Sequence, residues 1–312
     1  MIALFLIAGF ALLLAGGELL VRGSVGIALK LRVSKVIIGL TLVAFATSAP
    51  ELIVSVVAAL KGKSDIAIGN VIGSNIANIG LILGFTALVF KMPAVRLTYQ
   101  KDWIFLLLAN ALLGIFLYFG GIGRWQGMLF VLLLVGYNIQ KIASARKQRN
   151  AQVGEEIEVG PTPIWKGVLY LLLGAIGLKF GAQLFVSGIA SMALTFGLSE
   201  RFVSITLVAF GTSVPELAAS LMAARKGESD IAIGNIIGSN IFNILSVLGF
   251  TALITPISVK DQALVSFDFP ASLVFTLLII PLMGVLKADR LDRIEGALLL
   301  GLYVTFITSL FF

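Results

Sequence analysis

The sequence has no cysteine and no histidine. The first absence excludes disulfides and thiolate metal ligands, and the second excludes imidazole ligation and histidine acid–base chemistry. Charge is also scarce. Only 12% of the 312 residues are Asp, Glu, Lys or Arg, against about 25% in an ordinary soluble domain. The 23 Lys and Arg exceed the 16 Asp and Glu, for a net charge of +7. No basic run is longer than a few residues and no aromatic residues interleave with it. The excess therefore reads as loop charge that orients a membrane protein, not as a nucleic-acid surface. What the chain has instead is apolar: 59% hydrophobic residues and a mean hydropathy of +1.06.

The apolar runs lie at about 2–21, 36–60, 66–90, 103–120, 125–141, 164–187, 201–224, 231–255, 267–286 and 294–312. Crossing a bilayer takes roughly 20 apolar residues, so these runs predict an all-α polytopic membrane protein of ten transmembrane helices. The N-terminus is apolar from Ile2 with no basic stretch before it, and reads as a first span, not a cleaved signal peptide. Odd-numbered loops hold most of the Lys and Arg, from Arg22, Lys30, Arg32 and Lys35 to Lys287, Arg290 and Arg293. That places odd loops in the cytoplasm and both termini outside. The longest polar stretch, 142–163, runs from Arg146, Lys147 and Arg149 through Glu155, Glu156 and Glu158 to Pro161 and Pro163. It reads as a flexible cytoplasmic linker between halves 1–141 and 164–312.

Those halves repeat. At an offset of 165, residues 66–79 match 231–244 at 12 of 14 positions, and 40–52 match 205–217 at 10 of 13. Five spans per half would turn the second half over relative to the first. The expected architecture is thus two inverted five-helix repeats, common among secondary transporters. Packing alone would repeat glycines and apolar residues, not Thr-Ser-x-Pro-Glu.

That motif carries the chemistry. Thr47 and Ser48 precede Glu51 by four and three residues, which puts all three on one helical face; Thr212, Ser213 and Glu216 repeat this. Pro50 and Pro215 cannot donate a backbone hydrogen bond and release carbonyls about one turn earlier. Ser74 and Asn78, with Ser239 and Asn243, offer further oxygens at a spacing of four. Carboxylate, hydroxyl and carbonyl oxygens are the ligands of hard cations, and poor ones for transition metals. Two ionised glutamates match one Ca2+ or two Na+. Asn70, Asn75, Asn235 and Asn240 read as interhelical hydrogen-bonding residues, and Glu18 as a partner of Arg22 four residues on. No function is assigned to Lys179.

Both motifs, Ala-Thr-Ser-Ala-Pro-Glu at 46–51 with Gly-Thr-Ser-Val-Pro-Glu at 211–216, and Gly-Asn-x-x-Gly-Ser-Asn at 69–75 and 234–240, resemble those of the calcium/cation antiporter superfamily, specifically prokaryotic sodium/calcium exchangers. The resemblance covers the whole chain. It implies an antiporter, not an enzyme, in a prokaryotic inner (plasma) membrane, with no cofactor and with Ca2+ and Na+ as transported ions. It implies four ion sites at mid-membrane. Glu51 and Glu216 would bind Ca2+ and Na+, and Thr47, Ser48, Thr212, Ser213, Ser74 and Ser239 would add oxygens. The carbonyls of Ala44 and Ala209 would join them, and Asn78 and Asn243 would complete the centre. The first and sixth spans would slide across this core, and about three Na+ would exchange for one Ca2+. Ala46 departs from the usual Gly, and Asn243 stands where potassium-dependent relatives carry Asp. The alternatives are Ca2+/H+ exchange, with the glutamates carrying protons, and a passive cation channel.

Overall fold

The structure, a computed structural model, describes residues 2–151, 163–195, 200–283 and 289–310; the side chains of 147–151, 193–194 and 200–210 are not described. The apolar runs form helices α1 (Ile2–Leu31), α2 (Lys35–Thr47), α3 (Ala49–Leu60), α4 (Ser64–Val89), α5 (Arg96–Tyr118) and α6 (Arg124–Ala151). After the linker come α7 (Ile164–Thr195), α8 (Glu200–Arg225), α9 (Ser229–Ile254), α10 (Leu264–Leu282) and α11 (Arg293–Ser309). Several run past the expected apolar limits. Arg22 and Lys30 lie on α1, since Lys and Arg continue a helix well once it leaves hydrocarbon. Likewise α6 carries the first part of the 142–163 stretch to Ala151, and residues 152–162 of that stretch lie outside the described residues.

The helix count corrects the expectation of ten transmembrane helices in two inverted five-helix repeats. Among the described residues seven helices are long and apolar enough to cross a membrane, or eight if α2 and α3 count as one span bent by 43°. One expected run falls short. Helix α11 has 17 residues, about 25 Å of rise against a hydrocarbon core of about 30 Å. Helix α8 runs 26 residues, and it is not counted among the seven because its side chains are described only from residue 211.

Burial separates core from periphery. In α4 and α9, 78% and 89% of the apolar window is buried, against 33% in α1 and 28% in α7. The outer helices expose Leu4, Ile7, Phe10, Leu172 and Ile176, the residues that face lipid. Helix α1 lies against α7 along glycines spaced by seven, Gly9, Gly16 and Gly23 facing Gly181, Gly174 and Gly167. A Cβ on Gly174 would sit 2.5 Å from the Leu20 backbone nitrogen, and one on Gly23 2.6 Å from that of Leu171. Such close backbone approach replaces the hydrophobic drive that lipid does not supply.

Two features position the centre of the molecule. First, α2 approaches α9 closely: a Cβ on Gly238 would lie 2.6 Å from the Leu40 carbonyl oxygen. Second, four helices contain π-helical turns, at Gly39–Val43, Ala77–Leu83, Asn243–Leu248 and Leu264–Asp268. There are also two short antiparallel ladders that join the halves. Strand β1 (Met92–Pro93) pairs with β4 (Arg290–Leu291), and β2 (Gly121–Ile122) with β3 (Ile257–Ser258). Gly121 has φ +140°, and a Cβ there would meet the Ile257 carbonyl oxygen at 2.1 Å, so only glycine fits.

Candidate functional site

The chain breaks at Ser48, between α2 and α3. Ser48 takes φ −85° and ψ 4°, and Pro50 follows as the second residue of α3. The proline ring cannot donate to the carbonyl four residues back, so the helix bends here. In the equivalent stretch, α8 runs unbroken through Pro215. The Ala44 carbonyl accepts the Ser48 N–H at 2.9 Å and lies 3.4 Å from the Thr47 hydroxyl, which also donates to it. Ala209 lies in α8 among the residues whose side chains are not described.

The sequence-selected residues of the two halves meet. The Thr47 hydroxyl lies 3.1 Å from Asn235 Oδ1 and 3.3 Å from Ser239 Oγ. Ser48 Oγ donates to Glu216 Oε1 at 3.4 Å. Glu51 acts electrostatically on Glu216, and Thr212 stands beside Glu51. Asn78 and Asn243, the second and first residues of π-helical turns, reach across between α4 and α9 to Asn240 and Asn75. Glu51 and Glu216 are 0% and 1% exposed, and Thr47, Ser48, Ser74, Asn78, Thr212, Ser213, Ser239 and Asn243 are also buried.

The electrostatics are one-sided. Among the described residues, no hydrogen-bond partner meets either Glu51 oxygen, Glu216 Oε2, Ser74 Oγ, Ser213 Oγ, Asn78 Oδ1 or Asn243 Oδ1. The ion pairs among the described residues lie elsewhere: Arg22 and Lys226 to Glu18, Lys35 to Glu228, Lys141 to Asp102, and Arg290 to Asp292. Two buried carboxyl groups and several unpaired acceptors, with no basic side chain paired to them among the described residues, are stable only if a cation or protons supply the missing charge.

Glu18 joins Arg22, as its spacing suggests, and also Lys226 across to the end of α8. Lys179 lies over the Phe180 ring. Sequence reasoning placed Asn70, Asn75, Asn235 and Asn240 as hydrogen-bonding residues and did not resolve what they hold. Asn70 Nδ2 donates to Ser55 Oγ and Asn235 Nδ2 to Ser220 Oγ, one arrangement repeated at the same offset. The π-helical turns have no signature that periodicity could have revealed.

A family model described as sodium/calcium exchanger protein matches residues 1–142 and 166–312. The protein CaxA of Alkalimonas amylolytica is 39% identical over 316 residues, covering 99% of this chain and 98% of that protein. The sodium/calcium exchanger MaX1 of Methanosarcina acetivorans is 34% identical over 349 residues, with 99% and 98% covered. A solved structure of the sodium-calcium exchanger NCX_Mj soaked with 10 mM Na+ and zero Ca2+ superposes with a TM-score of 0.85 at 31% identity, covering 99% of this chain and 100% of that one.

Proposed function

The chain belongs to the sodium/calcium exchanger family, and we propose that it is a secondary active antiporter exchanging Na+ for Ca2+ at the site built around Glu51 and Glu216. The observation that carries the reading is the set of buried acceptor oxygens from both halves that lack a hydrogen-bond partner among the described residues. Ca2+ takes six to eight oxygen ligands in flexible geometry. The ligands we assign are Glu51, Glu216, Thr47, Ser48, Thr212, Ser213, Ser74, Ser239, Asn78 and Asn243, with the carbonyls of Ala44 and Ala209.

The charge explains obligatory exchange. Two carboxylates in a low-dielectric interior are costly without countercharge. The site therefore changes exposure readily when filled by one Ca2+ or by Na+, and reluctantly when empty. Coupling follows because both ions use the same oxygens. The close α1–α7 seam supports a motion in which these two helices travel as one body over the α4–α9 core.

We also infer an inner (plasma) membrane location for this multi-pass protein, with the 142–163 linker cytoplasmic and both termini outside. The support is the clustering of Lys and Arg in loops that would then face the cytoplasm. The linker divides the chain into repeat units 1–141 and 164–312.

One observation favours a second reading, Ca2+/H+ exchange: adjacent carboxyl groups without a basic partner can hold protons as well as cations. A Ca2+ titration of the purified protein tests the site itself. Glu51→Gln and Glu216→Gln each weaken Ca2+ binding by about 100-fold or more, the effect of removing a charged ligand from a buried ion. Wild-type affinity in either variant removes the glutamates from the site. Na+ competing for Ca2+ at fixed pH separates Na+ exchange from the proton reading.

A further inference from the structure

Four asparagines form a crossed pair between α4 and α9. Asn78 Nδ2 donates to Asn240 Oδ1 at 2.9 Å, and Asn243 Nδ2 donates to Asn75 Oδ1 at 3.0 Å. Asn75 and Asn240 are in turn fixed, each donating its own amide to the other's backbone carbonyl at 3.4 Å. All four are at most 1% exposed. The remaining oxygens, Asn78 Oδ1 and Asn243 Oδ1, have no partner among the described residues.

An asparagine is an ambiguous ligand. A half-turn about its last bond exchanges a carbonyl oxygen, which binds a cation, for an NH2 group, which repels one. Here the choice is made outside the ligands. The amide nitrogens of Asn75 and Asn240 are already committed to backbone carbonyls, so their oxygens are left to accept. Those oxygens capture the NH2 groups of Asn243 and Asn78, and the opposite ends of these two side chains are then necessarily oxygen.

We propose that Asn75 and Asn240 are positioning residues that fix the amide orientation of Asn243 and Asn78 and so keep the centre of the site free of N–H donors. The proposal rests on the reading that Asn78 and Asn243 face the transported cation. It assigns the second asparagine of the Gly-Asn-x-x-Gly-Ser-Asn motif to ligand orientation, where interhelical packing alone would need only a hydrogen bond of either sense.

The test is a double-mutant cycle read by Ca2+ titration of the purified full-length protein, with size-exclusion profile and Tm as folding controls. Asn75→Ala alone weakens Ca2+ binding by about tenfold, the worth of one misdirected ligand. In the Asn243→Asp background the same substitution changes affinity by no more than about twofold, the usual limit of independent effects. The reason is that a carboxylate presents oxygen in either orientation and has no NH2 to misdirect. The mirrored cycle, Asn240→Ala with Asn78→Asp, gives the same pattern and decides the matter if Asn75→Ala does not fold. Equal losses in both backgrounds would assign these residues to packing, and no loss in either would give them no role; both results overturn the proposal. Failure of the underlying reading appears separately, as unchanged Ca2+ affinity in Asn78→Ala and Asn243→Ala.

Discussion

Glu51 and Asp102 are both buried acids on helices of this protein, and their surroundings are opposite. Asp102 accepts from Tyr137 Oη at 3.0 Å and pairs with Lys141. Glu51 has no hydrogen-bond partner at either oxygen among the described residues. A satisfied acid holds structure, whereas an unsatisfied one awaits a ligand. Asp102→Ala should therefore lower stability by about 3 kcal/mol, the low end for breaking a buried pair because Lys141 keeps some exposure, and leave Ca2+ affinity within about twofold of wild type once folded. Thermal unfolding in detergent with a parallel Ca2+ titration checks both; a Ca2+-binding defect with unchanged Tm would reverse the assignment. The sequence singled out the two glutamates, which the structure buries, because the acid, hydroxyls and proline recur together at one offset. It left the sense of the asparagine bonds unreadable, because the partner of Asn78 is Asn240, 162 residues away, and an amide looks the same in the sequence whichever end faces the ion.

At the scale of the elements, the break at Ser48 was signalled by Pro50, yet the same proline position in α8 leaves the helix unbroken. Tertiary packing decides between a kink and a tolerated proline, and periodicity does not carry that information. The π-helical turns that begin at Ala77 and Asn243 are of the same kind: they widen the helix beside the site and depend on what α4 and α9 press against. The glycine seam of α1 and α7 is more accessible, since its spacing of seven stands in the sequence, although its partner is visible only in the fold. Gly174→Val should destabilise the protein by about 1–3 kcal/mol, because its Cβ meets the backbone of Leu20. Gly136→Ala, with open space around it, should stabilise by up to about 1 kcal/mol through helix propensity. Thermal unfolding of the two variants side by side checks the pair; equal Tm shifts would mean that the seam is not tightly packed.

At the scale of the molecule, the repeat and the polytopic class were readable from composition and self-similarity, and the number of spans was not. Apolar run length equates with a crossing only where the helix is continuous and long enough, and α11 and the bent α2–α3 pair show how that equation fails. The short ladders that tie the halves together were also invisible, because two-residue strands leave no alternation to detect. What the whole molecule presents is one buried set of acceptors assembled from both halves, which we propose two kinds of cation share. Uptake of radiolabelled Ca2+ into Na+-loaded proteoliposomes, with external Na+ replaced by choline and the pH gradient collapsed by an ionophore, tests that claim directly. Ca2+ should accumulate in proportion to the outward Na+ gradient, and Glu216→Gln should abolish the signal. Uptake that follows an imposed pH gradient and ignores Na+, or that persists at the wild-type rate in Glu216→Gln, would contradict it.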